Sequence, residues 1–160
     1  MSNSNQAMIQ LYIDAAREAL TGARYHDREA VETLVQRLWS EPSLQVQRVI
    51  LFGSKARHDD TSESDIDLLV IVADERWPVK DHILTIGSRL SLEHDVLLNL
   101  IVVSWARWTW MEQIRHPLCR AIVAEGIDLT PEMAPASVIG PSWWARRPAR
   151  PAHSGKRSPS

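Results

Sequence analysis

Apolar residues recur at intervals of three and four near the start of this chain, which is the spacing of one buried helix face. Two stretches show this spacing, residues 6–20 and residues 27–39. Asp27 stands where a helix N-cap is expected, and Pro42 follows the end of the second stretch. The pattern therefore predicts two amphipathic helices at the beginning of the fold.

Short apolar runs at residues 49–52, 65–72 and 96–103 predict buried β-strands. A glycine-serine turn, one or two helical turns and the polar loop HDDTSES separate the first two runs. The third run is apolar on both faces except at Asn99, which predicts a central strand. The three runs together predict a small sheet with a largely buried surface.

Helical patterns follow the second and third apolar runs. One predicted helix opens at Pro78 and extends to about residue 93, and Ser104 caps the next. A last short helix covers residues 118–125, and residues 127–129 fit an added edge strand. Helices that alternate with short strands predict an α/β layer structure.

The charge distribution divides the chain near residue 130. Residues 1–130 have a net charge of −6, whereas residues 131–160 have a net charge of +4. Six of the nine prolines lie in the second part, where no apolar periodicity is left. The sequence therefore predicts one domain at 1–130 and a disordered tail at 131–160.

Several classes of protein are excluded by the composition. The single cysteine, Cys119, rules out an intrachain disulfide and a thiolate metal cluster. The longest apolar run is too short to cross a bilayer, and the start MSNSNQAMIQ does not resemble a secretory signal. The acidic body also argues against a nucleic-acid groove. We therefore expect a cytoplasmic protein that binds neither membrane nor nucleic acid.

Two aspartates open the second predicted strand, in the order Asp65, Ile66, Asp67. On a strand their side chains project to the same face, with Cα atoms roughly 6–7 Å apart. Two carboxylates this close repel each other unless a cation lies between them. Mg²⁺ is commonly bound by a few carboxylates together with substrate phosphates. The pair therefore predicts a site for a hard divalent cation.

A candidate phosphate site precedes the aspartates. Gly53 lets the backbone approach a ligand closely because it has no Cβ, and Ser54 adds a hydroxyl group. Free backbone N–H groups at the start of the following helical segment attract anions. Lys55 and Arg57 add positive charge nearby. The combination predicts a nucleoside triphosphate site that includes a metal.

The segment GSKAR followed by SDIDLLVIV resembles the minimal nucleotidyltransferase (MNT) signature of the DNA polymerase β superfamily. A ten-residue spacer separates Ser54 from Asp65, within the usual range of that family. Members often read GSRARG, so Ser54, Ala56 and Arg57 match, whereas His58 replaces the common glycine. The resemblance covers roughly residues 30–130 and implies a small mixed β-sheet flanked by helices.

The resemblance also implies an activity. Gly53 and Ser54 would hold the β- and γ-phosphates of an NTP, most simply ATP, with Lys55 and Arg57 beside them. Asp65 and Asp67 would be the catalytic carboxylates and would bind two Mg²⁺ ions. A nucleoside monophosphate would pass to an acceptor hydroxyl and pyrophosphate would leave. MNT-type antitoxins use a HEPN-domain protein as the acceptor, whereas members that modify small molecules usually carry an additional domain.

The chain departs from this family at the third predicted strand. Active members supply a third carboxylate there, but the polar residue inside this strand is Asn99. An amide cannot accept a proton as a carboxylate does. Asp95 has the same strand parity but lies about 13 Å away along an extended chain. Either two aspartates suffice, or the strand places Asp95 differently, or the domain is catalytically degenerate and neutralises a partner by binding. A DNA-binding regulator that uses the basic tail is a further alternative.

Overall fold

The computed structural model describes residues 3–59, 61 and 64–130. Its elements are α1 (Asn3–Ala19), α2 (Tyr25–Ser40), a 3-10 turn (Pro42–Leu44), β1 (Val46–Phe52), α3 (Gly53–Arg57), β2 (Ile66–Val72), α4 (Trp77–His94), β3 (Leu98–Ser104), α5 (Trp105–Gln113), α6 (Pro117–Glu125) and β4 (Ile127–Asp128). The predicted tail at 131–160 lies outside the described residues. Among the helices of the described ranges, none has the length and apolar character that a membrane span requires.

The four strands form one mixed sheet in the order β3-β2-β1-β4. β1 lies between β2 and β4 and runs antiparallel to both, whereas β2 and β3 are parallel. Buried clusters lie on both faces of the sheet, where the helices cover it. The prediction of an α/β fold with a small mixed sheet flanked by helices is confirmed.

The prediction that the third apolar run forms a central strand is wrong, because β3 lies at the edge of the sheet. Leu98 and Val102 pack into the larger buried cluster, and Val103 packs into the smaller cluster on the other face. Each face of β3 therefore packs against one of the two buried clusters. An apolar run indicates that both faces of a strand are buried, but it does not indicate which strands pair with it in the sheet.

Side chains of β2 alternate between two cores on opposite faces of the sheet. Leu68 and Val70 contribute to the larger cluster, which also contains residues of α1, α2 and α4. Leu69 and Ile71 contribute to the smaller cluster with residues of α5 and α6. Asp67 has the parity of Leu69 and Ile71, so it lies on the α5–α6 face near the start of β2.

Helices α1 and α2 pack against each other as a helical hairpin. The ring of Tyr12 stacks on the ring of Trp39 with 4.0 Å between centroids. At the surface, Nε of Arg17 donates a hydrogen bond of 2.9 Å to Oε1 of Glu32. The hairpin is therefore held by both a buried aromatic contact and an exposed ion pair.

Asp27 does not cap the second helix, contrary to the prediction from sequence. α2 begins at Tyr25 with Arg24 in the N-cap position, which places Asp27 inside the first turn. Positions 27, 31 and 34 share one helix face, and Val31 and Leu34 are fully buried there. Asp27 consequently points into the protein and is only 2% exposed.

Candidate nucleotide-binding site

The chain leaves β1 through a tight turn at Gly53, which has a φ of +74° and begins the five-residue helix α3. A Cβ at this position would lie 2.3 Å from Oδ2 of Asp67 on the neighbouring strand. Only glycine combines this backbone conformation with this approach. The turn predicted to hold phosphates therefore lies against one of the two predicted metal ligands.

Ser54 and Asp65 lie on either side of this contact. Ser54 is half-buried in the first turn of α3, and Asp65 is exposed immediately before β2 begins at Ile66. The pairing with β3 starts at that point, where the N–H of Ile66 donates to the carbonyl of Leu97 at 2.9 Å. Within the described ranges, no hydrogen bond or ion pair engages the Ser54 hydroxyl or the Asp65 carboxylate. Both groups are available to a ligand.

Asn99 lies beside Asp67 across the parallel pairing of β2 and β3, where the two residues are direct partners. Nδ2 of Asn99 donates a hydrogen bond of 2.8 Å to Oδ1 of Asp67. The Asp67 carboxylate is thus held between the Asn99 amide and the backbone of Gly53. The structure therefore brings Asn99 to the position where the family resemblance implies a third carboxylate.

Asp95 does not replace Asn99 in the third strand. It is the C-cap of α4, with a left-handed φ of 52°, and β3 begins only at Leu98. The alternative in which a change of strand register brings Asp95 to the aspartate pair is therefore not what this fold adopts.

Lys55 is engaged away from the aspartate pair. Its ammonium Nζ donates a hydrogen bond of 2.8 Å to Oδ2 of Asp27 on α2. The two side chains are 1% and 2% exposed. Lys55 therefore forms a buried ion pair with the N-terminal hairpin.

Arg57 is held at the surface by two carboxylates. Its Nε donates to Asp59 at 3.0 Å, and its Nη1 donates to Glu125 of α6 at 2.9 Å. These hydrogen bonds, first to Asp59 and then to Glu125, raise the pKa of Arg57 above its usual value. Both basic side chains predicted to bind nucleotide, Lys55 and Arg57, are thus paired with acidic side chains.

Reasoning from sequence missed Asp27 as a partner of this region. The available signal was its position on the apolar stripe of α2, at the spacing of Val31 and Leu34. A carboxylate on a buried stripe needs a cation or hydrogen-bond donors, because an unpaired buried charge is costly. The choice of Lys55 as that partner depends on the tertiary fold and could not be read from the sequence.

The donors near Gly53 suit a hard divalent cation. Within the described ranges, no group of three or more His, Cys, Asp and Glu residues could hold a metal ion. The pair Asp65 and Asp67 offers carboxylate oxygens, and the amide N–H of Asn99 orients the Asp67 carboxylate. Mg²⁺ accepts such a partial protein set when phosphates and water supply its other ligands. The residues present therefore fit a metal that arrives with a nucleotide.

Residues 32–129 match a family model described as "Polymerase beta, Nucleotidyltransferase". The protein named "Putative protein adenylyltransferase MJ0604" from Methanocaldococcus jannaschii is 38% identical over 79 residues, which cover 49% of this chain and 75% of that protein. "Putative protein adenylyltransferase MJ0141" from the same organism is 45% identical over 58 residues, which cover 36% of this chain and 59% of that protein. The family match includes every predicted site residue.

Two solved structures also show a likeness to the chain. "Crystal structure of the toxin-antitoxin with AMP-PNP" is 22% identical with a TM-score of 0.41, covering 63% of this chain and 70% of that one. A mutant form of the MntA-HpeT toxin-antitoxin is 22% identical with a TM-score of 0.43, covering 61% and 69%. At these TM-scores the structural likeness is weak.

Proposed function

The chain belongs to the polymerase beta nucleotidyltransferase family, and on this basis we propose that it transfers a nucleoside monophosphate from an NTP to an acceptor hydroxyl. The contact of Gly53 with Asp67 carries the proposal, because a Cβ at position 53 would lie 2.3 Å from the carboxylate. A phosphate-binding turn and a metal-binding carboxylate in direct contact can act on the same nucleotide.

Two parts of the site have separate tasks in this proposal. The backbone at Gly53 and the hydroxyl of Ser54 bind the β- and γ-phosphates of ATP, while Asp65 and Asp67 hold Mg²⁺, with two ions expected in the loaded site. Bound Mg²⁺ neutralises phosphate charge and favours in-line attack. The acceptor oxygen bonds to the α-phosphorus, the bond to the α–β bridging oxygen breaks, and pyrophosphate leaves. Asp65 takes the hydroxyl proton, since Asn99 has no basic group.

The predicted roles of Lys55 and Arg57 change in this proposal. Lys55 is paired with Asp27 and lies too deep in the protein to reach phosphates without breaking that pair. Arg57 is exposed, and phosphate can compete with Asp59 and Glu125 for its guanidinium. We therefore keep Arg57 as a phosphate ligand and assign Lys55 to positioning.

We propose that the acceptor is a hydroxyl on a partner protein and that ATP is the donor. The relative that is 38% identical is named as a protein adenylyltransferase, which supports AMP transfer to protein. The resemblance to MNT-type antitoxins makes a HEPN-like protein the first partner to test. The open position of Asp65 leaves room for a large acceptor.

A second function is favoured by one observation. Asn99 donates to Asp67 where a third carboxylate would complete the acidic cluster. A site with two carboxylates can bind a metal-nucleotide complex without turning it over. In this alternative the domain neutralises a partner by binding alone.

The two functions are separated by label transfer and binding measured together. The full chain is incubated with ATP labelled at the α-phosphate, Mg²⁺ and a HEPN-like partner, and MgATP binding is followed by calorimetry. Enzyme function requires transfer that disappears in Asp67→Asn and persists in Asp74→Asn, a change of an exposed carboxylate just beyond β2. Binding without transfer favours the second function, and the absence of both contradicts each of them.

A further inference from the structure

The ion pair of Asp27 and Lys55 connects the N-terminal hairpin to the proposed nucleotide site. Asp27 lies outside the segment matched by the family model, which begins at residue 32, and Lys55 directly follows Ser54. We propose that this pair is a positioning device that fixes the Gly53–Ser54 turn for phosphate binding. The inference rests on the proposed function and assigns α1 and α2 to the architecture of the site.

Helix α3 cannot hold its own position. It has five residues, and a helix this short is not stable by its own hydrogen bonds. Its position depends on tertiary ties: Ala56 is buried in the larger core, Arg57 pairs with Glu125, and Lys55 pairs with Asp27. Of the two ion pairs, solvent screens the one at Arg57, whereas the Lys55 pair is almost fully excluded from water.

A cavity lies next to Lys55, so packing alone does not fix α3 on this side and the ion pair with Asp27 restrains it. A cavity of about 170 Å³ is lined by Lys55, His58 and residues 19–23 of the α1–α2 connection. This free space leaves α3 room to move once the pair with Asp27 is lost, and Ser54 would move with it. The buried pair resists such a shift, because separating the two charges in a poorly solvated environment is unfavourable.

The two oxygens of the Asp27 carboxylate have different neighbours. Asp27 Oδ2 accepts from Lys55 at 2.8 Å, and its other oxygen lies 3.5 Å from Nη2 of the exposed Arg24. The carboxylate therefore presents one oxygen to α3, while the exposed Arg24 at the N-cap of α2 lies near the other. Removing one partner breaks the buried ion pair and leaves the other charge in place, whereas removing both eliminates the two charges together with the restraint.

Hydrogen exchange of the nucleotide-free full chain tests the restraint without any assay of activity. Asp27→Asn is expected to speed amide exchange at residues 53–59 by about tenfold. The matched control is Glu32→Gln, which removes a carboxylate from the same helix but breaks only the exposed pair with Arg17. The control leaves exchange at residues 53–59 at the wild-type rate.

Kinetics then distinguish positioning from simple loss of folded protein. In Asp27→Asn the KM for MgATP rises about tenfold, while kcat per folded molecule stays within about twofold, because the phosphate contacts are misplaced. Lys55→Arg keeps the charge and raises KM less than Lys55→Met. The double variant Asp27→Asn with Lys55→Met recovers thermal stability but keeps the raised KM and fast exchange.

Specific results overturn the inference. Unchanged exchange at residues 53–59 in both Asp27→Asn and Lys55→Met contradicts it. A double variant that returns both the exchange rate and the KM to wild-type values also contradicts it, because the pair would then contribute only to the stability of the fold. If the single variants fail to fold, the double variant supplies the decisive comparison. Fast exchange in a protein that never transfers nucleotide contradicts the proposed function and leaves the restraint on α3 established.

Discussion

Gly53 combines two constraints that can be separated by mutation. Its φ is +74° and an added Cβ would meet Asp67, whereas Gly22 has a φ of +88° with nothing within 4 Å of an added Cβ. Alanine in a left-handed conformation costs about 1–2 kcal/mol at either position. The steric effect on the Asp67 carboxylate arises only at position 53.

We therefore expect both Gly53→Ala and Gly22→Ala to lose stability in chemical denaturation, with the larger loss in Gly53→Ala, because only its Cβ also clashes with Asp67. Gly53→Ala is additionally expected to weaken MgATP binding by more than about tenfold, because Asp67 must move. Calorimetric titration of both variants provides the measurement. Equal MgATP affinity in the two variants would show that the Gly53–Asp67 contact has no part in nucleotide binding.

Asn99 determines how many carboxylates the site contains. Replacement by aspartate removes the hydrogen bond to Asp67 and sets like charges side by side, so the metal-free variant is destabilised. Mg²⁺ relieves this repulsion, and we expect Asn99→Asp to bind Mg²⁺ about tenfold more tightly than the wild type.

Thermal melting over a Mg²⁺ titration checks this expectation. The melting temperature of Asn99→Asp should start below that of the wild type in EDTA and rise more steeply with Mg²⁺. Asn99→Ala removes the same hydrogen bond without adding charge, so it should lose stability in EDTA and show no such rise. A flat response of Asn99→Asp to Mg²⁺ would exclude a metal at this position.

At the scale of elements, local spacing was enough to predict most helices and strands. The runs 65–72 and 96–103 correspond to β2 and β3 within two residues, and the periodicity of the first forty residues gave α1 and α2. The edge position of β3 was not predictable, because strand order depends on chain connections and not on local burial.

The candidate site likewise contains some features that the sequence predicts and others that only the tertiary fold determines. Asp65, Asp67 and the Gly53 turn are close in sequence, and their types and spacing carry a recognisable pattern. The assignment to the polymerase beta nucleotidyltransferase family, which rests on that pattern, is confirmed. The pairing of Lys55 with Asp27 joins α3 to α2 through the fold, so charge type alone suggested a phosphate ligand where the structure has a buried ion pair.

Helix α6 places Cys119 in the smaller core, and this position controls the chemistry of its thiol. Burial, with a smaller contribution from Glu112, raises the pKa of Cys119 to about 11. The thiol thus stays protonated at pH 8.5, and we expect iodoacetamide to alkylate the folded protein roughly a hundredfold more slowly than the urea-unfolded chain.

Mass spectrometry of timed samples measures this difference. Because the pKa is higher in the folded state, this residue stabilises the fold at neutral pH, and that stability is lost as pH rises from about 9 toward 11. The free energy of unfolding should therefore fall less steeply with pH in Cys119→Ala than in the wild type. Equal alkylation rates in the folded and unfolded states would contradict burial of the thiol.

For the whole molecule, the described fold is complete only if the chain continues to residue 130. Leu129 is fully buried, Thr130 is nearly so, and Asp128 of β4 pairs with Arg48 of β1. A chain cut after residue 126 loses these contacts and the β4 pairing, whereas a chain cut after residue 130 keeps them.

We expect the 1–130 fragment to melt within about 2 °C of the full chain and the 1–126 fragment to lose several degrees. Circular dichroism melts of the two fragments provide the comparison, and MgATP titration follows in each. A large loss of stability in the 1–130 fragment would contradict the predicted division of the chain into a domain and a tail. The same fragment tests the DNA-binding alternative, which requires salt-sensitive DNA affinity that disappears with residues 131–160.

The β1–β2 hairpin has a consequence for how this protein can diversify. Gly53 follows β1 directly as the first residue of α3, and Asp67 lies in β2, the next strand of the chain, which runs antiparallel to β1. The core of the phosphate and metal geometry is therefore encoded by one continuous segment. Helices α5 and α6 lie outside that segment and carry the exposed Trp110 of α5. Substitutions on this surface therefore leave the segment from β1 to β2 unchanged.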